Sequence, residues 1–358
     1  MNLEQHIPAL LRIWRQQHGR RGPIDQLGHD ELTEVVRGVR RLSAGLGGDR
    51  QKAGRDYLST PEGLGAYLLW FWPVSYAQTG AILRLGGLRP TGGRALDLGS
   101  GPGPVSRALW DSGWRDILAI DRARAALDAA ATLCPGLHTQ PWSLGDPLPE
   151  GPFDLIFAGH VFNELWKHEP DRIQRRLGLL DELAARLSPA GRIALLDPAT
   201  HAVNRESLEL RDAVAGRFAI EGPCFSATPC PALAAGAACH GTLNWQLPAI
   251  TEQIGYAAHI DKSVVSFGWL VLSPGQRPPD DRLRVVSEQM LNKAGRERFL
   301  VCGAPGRFAL SAPGKGQAPW RRVWKQVQRG DVLRVSAPEL RESGWGLGPD
   351  SGLEISEI

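Results

Sequence analysis

The chain has 358 residues, 41 of them basic and 38 acidic, so its formal charge is only +3; it is no polycation, and contact with nucleic acid has to come from a local patch. Apolar residues make up 42% and charged residues 22%, the balance of a folded globular chain and not of a disordered one. That length accommodates two domains, or one α/β domain with additions at both ends. No apolar run approaches the roughly 18 residues that span a bilayer, so no membrane segment is expected. The opening MNLEQHIPALLRIWRQQHGRR has a basic helical look, but Glu4 and the lack of serine argue against a transit peptide. With no secretory signal read, the expected compartment is the reducing cytoplasm, where clustered cysteines are more often metal ligands than disulfides.

Residues 1–88 read as helices. LEQHIPALLRIWRQ and DELTEVVRGVRRLSAGL place apolar residues three and four apart, and TPEGLGAYLLWFWPVSYAQTGAILRLGGL opens on a Thr-Pro-Glu helix start. Trp70, Phe71 and Trp72 are either a recognition surface or packing of this cap onto the next domain, the reading that clustered large aromatics favour. From residue 94 the pattern becomes short apolar strands alternating with helices. RALDLGS, DILAID, FDLIFAGH and RIALLDPA are the strands, and VSRALWDSG, RARAALDAAATL and PDRIQRRLGLLDELAARL the helices. That alternation predicts βαβ units and a parallel, doubly wound sheet. NRESLELRDAVAGRF is a further helix and SVVSFGWLVLS a further strand. Beyond residue 281, LRVVSEQM, RERFLVCG, GRFALSA and DVLRVS predict a small antiparallel β unit. Its connection GKGQAPWRRVWKQVQRG interleaves Lys315, Arg321, Arg322, Lys325 and Arg329 with Trp320 and Trp324. It is either a solvated amphipathic helix or a surface for RNA, phosphates meeting the cations and bases stacking on the indoles.

LDLGSGPGP at 96–104 ends a strand and opens a helix, where free N–H groups and the helix dipole converge. Dinucleotide enzymes space this loop G-x-G-x-x-G. Here it is G-x-G-x-G, with Asp97 two residues ahead of Gly99, and it resembles the first motif of class I S-adenosylmethionine-dependent methyltransferases. The amino-acid end of that cofactor sits over the glycines, and the acid can meet its ammonium group. Asp121, closing the next strand, can accept from both ribose hydroxyls of either cofactor. A nicotinamide oxidoreductase with an electron-transfer cluster is the lesser alternative, and a plain glycine turn the structural one. After the next strand, His160, Asn163, Glu164 and His168 stand where methyltransferases place substrate-facing residues. Asn163 and Glu164 are weak catalytic candidates, since they serve equally well to cap and support the following helix. Neither an Asn-Pro-Pro-Tyr signature nor a cysteine placed for pyrimidine-carbon methylation is present. Methyl transfer needs mainly alignment and a desolvated pocket, so that absence does not exclude activity.

Cys224, Cys230 and Cys239 fall in sixteen residues of a Pro/Gly/Ala-rich loop, and Cys302 lies on the late strand FLVCG. Four thiolates suit tetrahedral zinc or a cubane iron–sulfur cluster. The wide spacing and Cys-Pro at 230–231 favour the cluster over zinc and over unliganded thiols, with His240 a substitute ligand. Cys134 has no partner motif and reads as a small buried residue.

Helical cap, LDLGSGPGP, FNEL, LLDPAT, PC-x5-CP-x6-ACH and a late strand cysteine occur in that order, and together they resemble the methyltransferase-like family associated with the mitochondrial small ribosomal subunit, which has bacterial members. The resemblance runs from about Tyr67 to Cys302. It implies a Rossmann-like class I methyltransferase sheet with a helical cap (1–88), a core (89–200), a cysteine-rich insertion with the remaining core strands (201–280) and a β-rich end (281–358). It also implies S-adenosylmethionine on Asp97, Gly99, Ser100, Gly101, Gly103 and Asp121. A four-iron four-sulfur cluster is implied on Cys224, Cys230, Cys239 and Cys302. The partner it implies is the small ribosomal subunit and its RNA, with the chain monomeric when not bound there. The chain departs from the family in reading Asp197-Pro198-Ala199-Thr200-His201 after the fifth strand and FSATP before Cys230. Two functions follow, a methyltransferase acting on ribosomal RNA or protein, and an RNA-binding assembly factor that keeps the fold without turnover.

Overall fold

The computed structural model describes residues 3–47, 60–226, 229–276, 278, 280–291, 295–342 and 344–356; Ala227 and Thr228 of the FSATP segment lie outside the described residues. The expected cap forms as α1 (Ile7–Gln17), α2 (His29–Gly47), α3 (Pro61–Ala66) and α4 (Trp72–Leu85). Thr60 caps α3, its hydroxyl accepting from the Gly63 N–H at 3.1 Å. Between α3 and α4 the helix widens into a π turn over Tyr67–Phe71, which the apolar spacing did not foretell. Pro73 is the cause: it has no N–H for the Leu69 carbonyl four residues back, and its ring crowds that oxygen. The buried Thr251 hydroxyl donates to the Leu69 oxygen instead, at 3.0 Å. Trp70 and Trp72 are fully buried, so the aromatic cluster is packing and not a surface.

The core runs β1 (Arg94–Leu98), α5 (Pro104–Asp111), β2 (Asp116–Asp121), α6 (Arg124–Leu133), β3 (His138–Pro141), β4 (Phe153–Gly159), α7 (Arg172–Ala184), β5 (Leu187–Pro198), α8 (His201–Val214) and β6 (Phe218–Gly222). After the cysteine loop come α9 (Pro231–Ala234), β7 (Gly241–Asn244), α10 (Ala249–Ala258) and β8 (Val264–Pro274). Strand order is β3-β2-β1-β4-β5-β8-β6, with β7 also on β8. It is a Rossmann-like sheet, but not the all-parallel one that βαβ alternation predicts. β1 to β5 pair parallel, whereas β8 runs antiparallel to β5, β6 and β7. Consequently β6 ends, and β8 begins, at the same carboxyl edge that carries the glycine loop.

Alternate residues of each central strand bury both faces. Ala95, Ile117, Leu155, Phe157, Ala194 and Leu196 pack under α4, α5 and α6. Leu96, Ile120, Ile156, Ile193 and Leu195 pack under α7 and α8. Cys134 sits in the first layer, fully buried, with burial pushing its thiol up to about 11.

The remaining strands form a second sheet: β9 (Leu283–Val285), β10 (Met290–Leu291), β11 (Glu297–Gly303), β12 (Gly306–Ala312), β13 (Val332–Ser336), β14 (Glu339–Arg341), β15 (Gly344–Gly346) and β16 (Gly352–Ser356). They pair antiparallel except β12 with β15, which run parallel. The basic connection holds only one helical turn, α11 (Arg321–Trp324). Its indoles are structural: Trp320 and Trp324 are buried in the core of this sheet, donating to Gly348 O at 2.7 Å and Glu297 Oε2 at 2.6 Å. Arg321 pairs with the same Glu297 at 3.0 Å. The stacking platform that the Trp/Arg interleaving suggests is therefore not formed, and of the segment's five basic residues Lys315, Arg322 and Lys325 are exposed.

Asp111, at the end of α5, ties the cap to the core. It accepts from Tyr76 Oη at 2.7 Å, His6 Nε2 at 2.8 Å and Arg107 Nη2 at 2.6 Å. Burial works against its charge, but these three donors outweigh it and hold its pKa below the ordinary value. Asp111→Ala orphans them together and is expected to cost about 2–4 kcal/mol in urea unfolding. Asp128→Ala, which breaks the exposed Arg124–Asp128 pair, is expected to cost less than about 0.5 kcal/mol. Equal costs would refute the assignment.

Candidate cofactor site and cysteine basin

The glycine loop leaves β1 at the point where strand order reverses, since β1 lies between β2 and β4; ligands of open α/β sheets bind there. Gly99, Gly101 and Gly103 all take positive φ, at 68°, 50° and 75°. Gly99 and Gly103 also meet neighbours: a Cβ at Gly99 would stand 2.4 Å from Val161 Cγ2, and one at Gly103 2.8 Å from Ala130 Cβ. Gly101 is different. A Cβ there would meet only Tyr67 Oη, at 3.5 Å, so this glycine faces a cradle roofed by the π turn. Trp72 pins the loop from the same helix, donating from Nε1 to Pro102 O at 3.1 Å. Ser100 is buried, and its N–H donates to Ile120 O at 3.0 Å.

Asp97 is fully buried on β1. Its Oδ2 accepts from Ser106 N at 2.9 Å and Ser106 Oγ at 2.6 Å, while Oδ1 has no partner among the described residues. Burial pushes its pKa up to about 7, against the two Ser106 bonds, with Asp121 adding to the rise. Asp121 closes β2 and accepts from Gly101 N at 2.9 Å and Ala123 N at 2.8 Å, which aims the loop at its own carboxylate. Tyr67 interacts with Asp121, Glu164 and Asp97, and burial first, then these acids, keep its hydroxyl protonated. Residue 67 carried no signal in the sequence, because a tyrosine inside an apolar helix reads as core.

His160, at the end of β4, has φ 60° and its ring nitrogen lies 3.2 Å from Gln78 Oε1. Burial, then Lys262, lower its pKa to about 4, so the imidazole is neutral near pH 7. The buried Asn163 is a brace: its N–H donates to Asp197 Oδ1 at 3.2 Å, and its amide nitrogen, turned inward, reaches His160 O and Asp197 Oδ1 at 3.0 Å each. Glu164 is half-buried beside Tyr67, and His168 is exposed.

The cysteine loop is held by one face of α8. Asn204 brackets Cys239, donating to its carbonyl at 2.7 Å and accepting from its N–H at 3.1 Å. Asp212 accepts from Cys230 N at 2.9 Å and 3.0 Å, and Arg211 hydrogen-bonds the Cys224 thiol. Cys302 comes from β11, yet all four sulfurs share one electrostatic neighbourhood. Burial pushes Cys239 up to about 12, with Cys224, Cys230 and Cys302 adding to it. Burial likewise pushes Cys302 up to about 11, with Cys224 and Cys230 adding and Arg307 and Arg211 opposing. Among the described residues no group of three His, Cys, Asp or Glu could hold a metal ion. His240 does not join the thiols as a ligand; its ring faces Gly241 O at 3.1 Å and the Arg329 guanidinium at 3.3 Å. Among those residues, too, no helix is long and apolar enough to cross a membrane.

Residues 74–234 match the family model of a methyltransferase domain. A trans-aconitate 2-methyltransferase of Rhizobium leguminosarum bv. trifolii is 34% identical over 106 residues, which are 29% of this chain and 38% of that protein. The chain thus spans 38% of the length of the curated relative it matches. Among solved structures, a TehB-like SAM-dependent methyltransferase from Corynebacterium glutamicum is 19% identical with a TM-score of 0.34, over 56% of this chain and 88% of that one. The ribosomal protein L11 methylase from Lactobacillus delbrueckii subsp. bulgaricus is 17% identical with a TM-score of 0.35, over 55% and 78%.

Alanine at the three glycines separates folding from binding. Gly99→Ala and Gly103→Ala combine left-handed strain with a clash and are expected to lose more than about 2 kcal/mol; Gly101→Ala carries the strain alone, about 1 kcal/mol. Thermal melts that rank Gly101 as the costliest would contradict the geometry.

Proposed function

We propose that the chain binds S-adenosylmethionine over Gly99–Gly103 and acts as a methyltransferase on small-subunit ribosomal RNA or a ribosomal protein, with a four-iron four-sulfur cluster on its four loop and strand cysteines. One observation carries the cofactor reading: a fully buried carboxylate, Asp97, keeps an unpartnered Oδ1 on the strand that leads into the one loop glycine whose missing Cβ opens a cradle. A buried lone acid oxygen fits an ammonium group, and the nicotinamide alternative offers no such cation at its pyrophosphate. When bound, the cofactor supplies an electrophilic methyl group. Tyr67, Trp72 and the neutral His160 exclude water around it, and Asp121 holds the loop while offering its carboxylate to hydroxyls.

The cluster reading comes from the family resemblance, with support from the four thiols sharing one electrostatic neighbourhood. A single zinc ion needs sulfurs about 2.3 Å from one point, and no group of three described His, Cys, Asp or Glu residues could hold a metal ion. Such a cluster would brace the loop. The RNA partner comes from the family resemblance; its support here is limited to the exposed Lys315, Arg322 and Lys325. A non-catalytic RNA-binding role is the second reading. What favours it is Asn163, whose amide is spent on His160 O and Asp197 instead of a substrate.

Protonation of Asp97 gives the cofactor test its sign. The carboxyl is raised to about 7, so its contribution to stability is complete below the ordinary value near 4 and is lost as pH rises through about 7. A cation beside it needs the ionised form. Affinity for S-adenosylmethionine is therefore expected to fall about tenfold per pH unit below 7 and to level off above it. Asp97→Asn, which keeps the Ser106 bond, should bind weakly and without that pH dependence. Calorimetry giving equal affinity at pH 6 and pH 8 in the unaltered protein would sink the assignment.

Reversing Lys315, Arg322 and Lys325 to glutamate is expected to weaken binding to small-subunit RNA and flatten its salt dependence. Arg321 is left alone because its reversal breaks the Glu297 pair. An unchanged salt slope in filter binding removes these residues from the interface.

A further inference from the structure

The chain has 12 tryptophans, and four of them, Trp110, Trp166, Trp245 and Trp345, are half-buried while the rest are buried. Three of the four have a partner. The Arg115 guanidinium lies 4.9 Å over the Trp110 ring, Trp245 Nε1 donates to Lys262 O at 2.7 Å, and Trp345 packs on Phe308 with ring centroids 4.7 Å apart. Trp166 is the exception: among the described residues its indole stacks on no ring, lies under no cation and donates to no acceptor. It packs on the apolar core under α7 and α8 without being covered.

The backbone that carries this indole is unusual too. Trp166 has φ 51°, and His160, at the start of the same loop, has φ 60°. A left-handed backbone is uncommon outside glycine, and for a side chain this bulky it persists only where the surroundings hold it. Here they do. At one end His160 N donates to Leu196 O at 2.6 Å. At the other, Arg176, 2% exposed, gives Leu165 O two bonds, from Nε at 3.1 Å and Nη2 at 3.0 Å, and is itself fixed by Glu206 of α8 at 3.0 Å. The loop abuts the cofactor cradle, because Val161 is the neighbour that a Cβ at Gly99 would strike. It leaves β4 at the carboxyl edge beside β1, where ligands of such sheets bind.

We infer that Trp166 is the stacking platform for the methyl acceptor, and that this acceptor is an unpaired nucleobase of RNA. The inference rests on the methyltransferase reading above and selects RNA over ribosomal protein. A bare indole face suits a planar ring. Bases inside a duplex have both faces covered by their neighbours, so only a splayed or single-stranded base can occupy the loop. A lysine of a protein acceptor would be attracted to the same face only as a cation, and a protonated amine has no lone pair to take the methyl group. Trp166 is thus an acceptor-binding residue, and the pinned loop sets where its ring lies relative to Gly99.

The test measures binding of the full chain to small-subunit ribosomal RNA across a range of salt, and to S-adenosylmethionine separately. Trp166→Leu keeps an apolar side chain on the same backbone and removes only the aromatic face. It is expected to weaken RNA binding about tenfold with an unchanged salt slope, because a stacked base is lost and no phosphate contact is. Trp166→Phe restores a ring and is expected to stay within about threefold of the unaltered protein. Both should bind S-adenosylmethionine as the unaltered protein does. If Trp166→Leu binds the RNA as tightly as the unaltered chain, the inference falls while the RNA reading stands. Equal losses in the Leu and Phe variants, or a parallel loss of cofactor affinity, mark a merely structural ring and overturn it as well. Unaltered protein that binds no small-subunit RNA defeats the RNA reading itself, and this inference with it. Should Trp166→Leu fail to fold, Trp166→Gly, which suits the left-handed backbone, is read by the same outcomes.

Discussion

The direction of one strand constrains both sites. Because β8 is antiparallel to β5 and to β6, the chain leaves β6 at the carboxyl edge and must return to that edge to enter β8. Everything between, including Cys224, Cys230, Cys239 and α10, is therefore held on the side where β1, β2, β4 and β5 deliver Asp97, Asp121, His160 and Asp197. A parallel strand in that slot would have had to start from the opposite edge. The segment after β6 would then have had to run back along the length of the strands, and only its start would have stayed on the edge of the glycine loop.

Within that constraint, α8 works as a ruler. Asn204, Arg211 and Asp212 are seven and eight residues apart, two helical turns along one face, and each fixes a different cysteine. An adjoining face of α8 supplies Leu210 and Val214 to the core under the sheet. Packing thus sets the helix's rotation, and the rotation sets where the cysteine backbones lie. The cap acts similarly on the other site. Pro73 forces the π turn, the turn carries Tyr67 over Gly101, and Trp72 in the next turn of helix clamps Pro102.

Much of this was legible in the residues. Strand–helix alternation, the positive-φ glycines and Asp97 and Asp121 at the ends of adjacent strands all follow from local pattern, and β1, β2, β4 and β5 lie where the apolar runs put them. The antiparallel β8 was not legible, since a strand buried on both faces reads the same in either direction. The π turn was hidden for another reason: a proline within a strongly apolar helix can be read as an ordinary kink, and the compensating Thr251 is 182 residues away. The basic segment misled because Trp320 and Trp324 alternate with arginines at spacings that suit a stacking surface and a core turn equally well. Burial decided it, as both indole N–H groups found acceptors inside the β unit. Arg284 gave no signal at all, because its place opposite Cys302 is set by strand register.

Charge distinguishes the two sites more sharply than shape. At the glycine loop the buried, under-satisfied group is an acid, Asp97, and the tyrosine and acids around it add no cation of their own. At the cysteine basin it is a base, Arg284, joined by Arg307 and Arg211. Burying a charge without a counter-charge costs several kcal/mol, so a fold that buries one of each sign in separate places discriminates ligands by sign before any shape is read. The first site accordingly suits a cationic ligand, as a sulfonium nucleoside with an ammonium group is, and the second does not. An anion at the first or a cation at the second would meet like charge, so the two loops on one edge of the sheet differ in sign as well as in shape.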